Sequence, residues 1–162
     1  MDNNYIVYVV ITLIFSAFFS GIEIAYISAN KLQIELQKKQ GMWSGKVLSK
    51  FLARPGQFIG TTLIGNTIML VLYGTFMAFL LDEPLRNLFP ESFNNEAVIL
   101  ISQTVLSTLL VLITGEFLPK SLFMLDPNRM LNFFALPILI IYSVMYPIVW
   151  LIVALSKGFI TQ

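Results

Sequence analysis

The sequence predicts an all-α integral membrane protein, and three observations carry that prediction. Hydrophobic residues fill 57% of the 162 positions and charged residues only 12%, roughly half the charge of an ordinary soluble domain. The mean hydropathy is +0.80. The charges are also segregated, with none between residues 57 and 81. An apolar load that includes 14 Phe, 6 Tyr and 2 Trp exceeds what one soluble core absorbs. A soluble enzyme, a disordered chain and a nucleic-acid binder are thereby excluded. The chain has no Cys and no His, so it offers no disulfide framework and lacks the usual ligands of zinc, copper and haem. Any metal held here must be a hard cation on oxygen ligands.

The first apolar segment runs from about Tyr5 to Ala29, with Glu23 as its only charge. It lacks a basic leader (Asp2 is the sole early charge) and is too long for a signal-peptide core, so it reads as a spanning helix. Residues 31–54 carry Lys31, Lys38, Lys39, Lys46, Lys50 and Arg54 against Glu35, with Leu32, Leu36, Trp43, Val47, Leu48, Phe51 and Leu52 interleaved. That pattern predicts two short amphipathic helices at the membrane surface, broken near Gly41 and Gly45 and ended by Pro55-Gly56. Residues 57–81 form the second span. Residues 82–96 read as a polar loop with four acids and one base, punctuated by Pro84 and Pro90. Residues 97–125 form the third span, with Glu116, Pro119 and Lys120 near its end, and Asp126-Pro127-Asn128-Arg129 reads as a turn. The last apolar segment, residues 130–157, is interrupted by Pro137 and Pro147. It is long enough for a fourth span and equally compatible with a bent segment in one leaflet.

The basic residues set the topology. The first loop holds six Lys and Arg, residues 82–96 hold one, and the Lys120–Arg129 region holds two. The positive-inside rule places the first loop and that region in the cytoplasm, and the N-terminus outside. Lys157 is a minor pointer to an inner C-terminus. Six inner charges are what topology alone requires, and attraction to anionic lipid is a natural addition.

Ionisable residues within spans default to a functional role. Here they are Glu23, Glu116 and Lys120. Glu23 has a bland reading at the interface, Lys120 as a snorkelling side chain, and Glu116 with Lys120 as a local i,i+4 pair. At about 1.5 Å per residue, Ser20 lies about 23 Å beyond Tyr5, Glu116 about 28 Å beyond Ala97, and Asn66 about 13 Å from Gln57. These depths share one central-to-inner band of a core about 30 Å thick. Ser16, Ser20 and Glu23 fall on one helix face, Thr62, Asn66 and Tyr73 on another, and Thr108 and Gly115 on a third. Helix packing through small side chains accounts for Ser16, Thr104, Thr108 and Gly60. It accounts less well for Asn66 and hardly at all for Glu116. Pro119 has no amide hydrogen, so the Gly115 carbonyl loses its helical partner and must be satisfied otherwise at membrane depth. Gly21 beside Ser20 and Gly65 beside Asn66 expose backbone in the same way. Oxygen donors around one carboxylate suit Mg²⁺ or Na⁺, and broken helices around an ion are a transporter device.

At these residues the chain resembles the transmembrane domain of the CNNM/CorC family of magnesium transporters. Phe18-Phe19-Ser20-Gly21-Ile22-Glu23 is similar to the family's first motif, Leu63-Ile64-Gly65-Asn66 to its second, and Gly115-Glu116-Phe117-Leu118-Pro119-Lys120 to its third. Over nearly the whole chain the motifs keep the expected order. The resemblance implies one domain over residues 1–162, with three transmembrane helices, short amphipathic cytoplasmic helices and a proline-bent juxtamembrane belt helix. It implies a multi-pass protein of the plasma (inner) membrane with a cytoplasmic C-terminus, working as a homodimer. It implies Mg²⁺ export coupled to Na⁺ entry, with the ion on the side chains of Ser20, Asn66 and Glu116 and on backbone carbonyls around Ser20, Gly21, Gly65 and Gly115. Cytoplasmic CBS domains belong to the resemblance but are absent from this chain, so ATP would act only through parts not present here. One departure stands out. The family often reads Gly-Asn-x-x-x-Asn, and here the second asparagine is Leu70, which cannot ligate an ion.

Two other function classes compete. A divalent-cation sensor or membrane scaffold would bind the ion without moving it, and flux in sealed vesicles separates that reading from transport. An intramembrane enzyme fits worse: there is no His for a Ser-His pair, no Asp cluster for two metals and no G-x-S-x-G elbow.

Overall fold

The computed structural model describes residues 3–90 and 95–160. Asp2, residues 91–94 of the predicted polar loop and the Lys157 side chain lie outside the described residues. No strand occurs among the described residues. The elements are α1 (Asn3–Ser28), α2 (Lys31–Lys39), α3 (Trp43–Leu52), α4 (Pro55–Leu88), α5 (Glu96–Val111), a π-helical segment (Leu112–Phe117), α6 (Leu118–Leu125), α7 (Pro127–Phe133) and α8 (Ala135–Ile160).

Four stretches are long and apolar enough to cross a membrane: Asn4–Ser28, Pro55–Leu88, Glu96–Leu125 and Ala135–Ile152. The central one is α1. It packs between α4 on one side and the π segment with α6 on the other, and touches α7 near its end. Its buried positions include Val9, Thr12, Ser16, Ser20, Ile22 and Ala25, small or branched residues that let neighbouring backbones approach closely.

The basic stretch forms two helices joined by a tight turn. Gly41 adopts φ +82, a left-handed conformation that costs glycine little. The Met42 N–H reaches the Gln37 carbonyl at 3.0 Å and the Gly41 N–H the Lys38 carbonyl at 3.0 Å, the double closure of a Schellman motif. Gly45 is not a break, as the sequence reading has it. It lies inside α3, where a Cβ would come within 2.6 Å of the Lys38 backbone nitrogen. Glycine here lets α3 lie directly on the end of α2. Gly45→Ala is therefore expected to push the two helices apart and destabilise the fold by about 1–2 kcal/mol, read as a lowered midpoint in thermal unfolding of the detergent-solubilised protein. An unchanged midpoint would show that α2 yields freely.

Ile34, Val47, Leu48 and Phe51 turn inward and join Ile22, Ala25, Tyr26, Phe58, Leu131 and Ile138 in the larger buried cluster. The Tyr26 hydroxyl donates to the Phe51 carbonyl at 3.0 Å, tying α3 to α1. Pro55 opens α4, where its missing N–H has no helical partner to lose.

The structure departs from the sequence reading in three further places. First, α4 does not end at residue 81. It runs on to Leu88 through Pro84, held by an Asp82–Arg86 pair at 3.0 Å and by burial of Leu85. The charges mark where the apolar stretch ends, not where the helix ends. Second, the Asp126–Arg129 turn is a single-residue bend. The Asp126 carboxylate accepts from the Arg129 N–H at 3.1 Å and starts α7 at Pro127. Third, Pro137 and Pro147 do not interrupt the last helix. Pro137 sits in the first turn of α8, where the N–H is unneeded, and Pro147 costs one bond inside a long helix.

Candidate functional site

The buried hydroxyls of this bundle mostly satisfy themselves on their own helix. Thr12 donates to the Val9 carbonyl at 2.9 Å, Thr61 to Gln57 at 2.8 Å and Thr62 to Ile59 at 2.9 Å. Two serines on α1 break that habit. Ser16, fully buried, donates across to Oδ1 of Asn66 on α4 at 2.7 Å. Ser20, one turn further along and also fully buried, has a hydroxyl with no hydrogen-bond partner among the described residues. A buried hydroxyl without a partner costs about 1–3 kcal/mol, so its retention at this position calls for an explanation.

The glycines around these serines are close-approach sites. A Cβ on Gly115 would lie 3.3 Å from the Ser16 hydroxyl oxygen, which brings the π segment against α1 where α1 meets Asn66. A Cβ on Gly65 would fall 2.4 Å from the Phe19 ring, and one on Gly21 would fall 2.6 Å from the Phe123 ring. Phe19 and Phe123 thus lie over the backbone beside Asn66 and Ser20. Phe123 in turn stacks on Phe134 at 5.5 Å.

Just before Pro119 the chain takes a widened turn. Residues 112–117 take π-helical geometry, and the Leu118 N–H bonds to the Ile113 carbonyl, five residues back. Single π turns inside α-helices are rare and often mark functional positions. This one holds Gly115 and Glu116.

The structure brings Asn66 and Gly115 together around Ser16, with Ser20 on the same helix one turn away. Gly65 and Gly21 flank them under aromatic rings. Glu116 is placed differently. Its carboxylate is about 3.8 Å from the Lys120 ammonium, and the side chain is 30% exposed. It lines a cavity of about 300 Å³ with Leu70, Tyr73 and Thr108, and the Tyr73 hydroxyl donates to the Ser107 carbonyl at 2.9 Å. Leu70, where the family often has a second asparagine, therefore shares a cavity with Glu116. Glu23 is half-buried on α1. No cluster of three or more His, Cys, Asp and Glu that could hold a metal ion occurs among the described residues.

Ser16 is the residue that sequence reasoning set aside as a packing residue. Its spacing from Ser20 was the available signal. Its bond to Asn66 depends on how α1 and α4 are rotated, which spacing does not report.

Apolar helices gathered around a small polar interior define a multi-pass membrane protein. Comparison with known proteins gives the family. Residues 7–162 match the domain described as the Cyclin M transmembrane N-terminal domain, CNNM, and the chain belongs to that family. It is 30% identical over 145 residues to the UPF0053 inner membrane protein YfjD of Escherichia coli strain K12, covering 88% of this chain and 31% of that protein. It is 26% identical over 150 residues to a UPF0053 protein of Haemophilus influenzae, covering 92% of this chain and 33% of that one. A third relative, the UPF0053 protein sll0260 of Synechocystis, is 28% identical over 131 residues, covering 75% and 28% of the two chains. The chain thus spans about a third of the length of these relatives.

Proposed function

We propose that this chain is a Mg²⁺-transporting membrane domain in which the cation passes between α1, α4 and the π segment. The observation that carries the reading is the buried, unpartnered hydroxyl of Ser20, one turn from the Ser16–Asn66 bond. A buried oxygen without a donor among the described residues is suited to a cation. Asn66 and the backbone carbonyls of Ser20, Gly65 and Gly115, with Gly21 easing close approach, are the neutral ligands in this reading. Glu116 supplies the charge. Its present partner is Lys120, so joining the cation requires the side chain to leave that pair, an exposed contact worth about 0–1 kcal/mol.

The reading extends to export of Mg²⁺ against Na⁺ entry by a homodimer, with the N-terminus outside and the C-terminus cytoplasmic. The basic residues of α2 and α3 support that orientation. It also takes α8 as a belt at the inner face, not a fourth span. Supporting this, the contacts of Phe134 and α8 fall on the basic end of the bundle: Phe134 against Phe18, Tyr142 against Phe51 and Gln57, Tyr146 accepting from Arg54, and Val149 beside Gly60.

The test is Mg²⁺ titration and Mg²⁺ flux in proteoliposomes, wild type beside Ser20→Ala. Without Mg²⁺, the alanine variant is expected to be as stable as wild type or up to about 1–2 kcal/mol more so, since an unsatisfied hydroxyl is removed. With Mg²⁺, it is expected to lose affinity about tenfold and to lose flux. A variant equal to wild type in both measurements would overturn the assignment. Binding without flux in the wild type would favour a sensor over a carrier.

A further inference from the structure

A second cavity, of about 840 Å³, opens where the third apolar stretch ends. Leu122, Phe123 and Leu125 of α6 form one wall, and Met130, Phe133 and Phe134 form the other. Its volume is that of a small-molecule site, and its lining is mainly apolar. Leu125 and Phe133 are 81% and 76% exposed, which in water would be costly and against lipid is not. Two charged residues complete the wall, Asp126 and Arg129. Both are exposed. The Asp126 carboxylate accepts from the Arg129 backbone N–H, which leaves the guanidinium itself uncommitted to that contact.

We propose that this cavity seats one phospholipid of the adjoining leaflet, with an acyl chain in the apolar part, its phosphate on Arg129 and a primary-ammonium headgroup on Asp126. The charge pattern decides among lipids. One positive and one negative side chain match a zwitterion, and phosphatidylethanolamine offers both a phosphate and three N–H donors. Phosphatidylglycerol satisfies Arg129 but brings no cation to Asp126. Phosphatidylcholine carries the charge but no donor. Position fits as well: the cavity lies at the last residues of an apolar stretch, the depth at which headgroups begin. It is the same end of the bundle as α2 and α3, since Asn128 of α7 bonds to Asn30 at the start of α2. The lipid would also lie against Phe123, the ring that covers Gly21 beside Ser20. Occupancy would then bear on how firmly that ring is held.

Photolabelling in proteoliposomes tests the proposal, using phosphatidylethanolamine with a diazirine in its acyl chain and unlabelled lipids as competitors. Labels are expected on residues 122–134, with phosphatidylethanolamine competing about fivefold better than phosphatidylcholine or phosphatidylglycerol, the scale of one charge at a membrane surface. Asp126→Asn keeps a good helix cap and is expected to erase that preference. Arg129→Gln, at an exposed position, is expected to cut labelling by the phosphatidylethanolamine probe and to weaken competition by all three unlabelled lipids. Labels spread evenly over α5 and α6, or equal competition by the three lipids, would overturn the proposal. So would efficient disulfide formation between two copies of Leu125→Cys, which would put a second chain in the cavity. The chain has no native cysteine to confuse that readout.

Discussion

Glu116→Gln is expected to weaken Mg²⁺ binding about 10–100-fold and to stop flux in proteoliposomes, with little effect on folding. The substitution keeps size and one carbonyl oxygen and removes only the charge. A hydrogen-bonded or ligating charged group contributes about 1.5–3 kcal/mol, and ligand charge count is what sets affinity for hard cations. Folding is spared because the carboxylate contacts Lys120 at about 3.8 Å in a partly exposed pair, worth little by itself. Lys120→Gln supplies the opposite sign. Removing the competing ammonium frees the carboxylate and is expected to tighten Mg²⁺ binding severalfold. If both variants bind and transport as wild type does, the pair is a surface contact and Glu116 has no part in the site.

Asn128→Leu is expected to be among the most damaging single changes to stability, by about 2–4 kcal/mol in chemical or thermal unfolding. Asn128 is buried and reaches across from α7 to the α1–α2 junction. Its Oδ1 accepts from the Asn30 N–H at 2.8 Å, and its Nδ2 donates to the Asn30 carbonyl at 3.2 Å and to Gln33 Oε1 at 2.9 Å. Leucine forfeits all three bonds, each worth about 0.5–1.5 kcal/mol. Gln33→Ala removes one of the three bonds and leaves the Asn30 pair intact, and is expected to lose less than half as much. Equal damage from both variants would trace the effect to packing instead.

Asn128 also illustrates what was legible in the sequence. The apolar stretches were, because burial in lipid demands about 20 uncharged residues and nothing else writes that pattern. The amphipathic pair at residues 31–54 was, because a basic face and Gly41 are local signals. The role of Asn128 was not: in sequence it is one polar residue in a turn-like tetrapeptide, and its three bonds run to residues about 95 positions away. The end of α4 was misread because Asp82 announces water, and a helix survives in water when Asp82 can pair with Arg86.

The same division holds at the candidate site. Ser20, Asn66 and Glu116 were legible as polar residues at lipid depth. The exchange between Ser16 and Asn66 was not, since it depends on helix rotation. Nor was the form of the chain at Pro119. Proline predicts a lost bond, but whether the helix kinks, opens or widens into a π turn is decided by what packs against it, here the close contact between Gly115 and Ser16.

The two ends of the bundle are held very unequally. At the basic end a broad cluster from α1, α3, α4, α7 and α8 is interlocked, with the Tyr26, Tyr142 and Asn128 tethers around it. At the other end the buried centre is Val9, Tyr73 and Met77, backed by the ring contacts Tyr5–Phe79 and Tyr8–Phe76. Openings in a protein are drawn from its least densely packed parts. The molecule is built like tongs, with its pivot among the basic helices and its jaws at the far ends of α1 and α4. Parting those jaws would break only the small Val9–Tyr73–Met77 cluster and a few ring contacts, and would leave the larger cluster at the pivot whole.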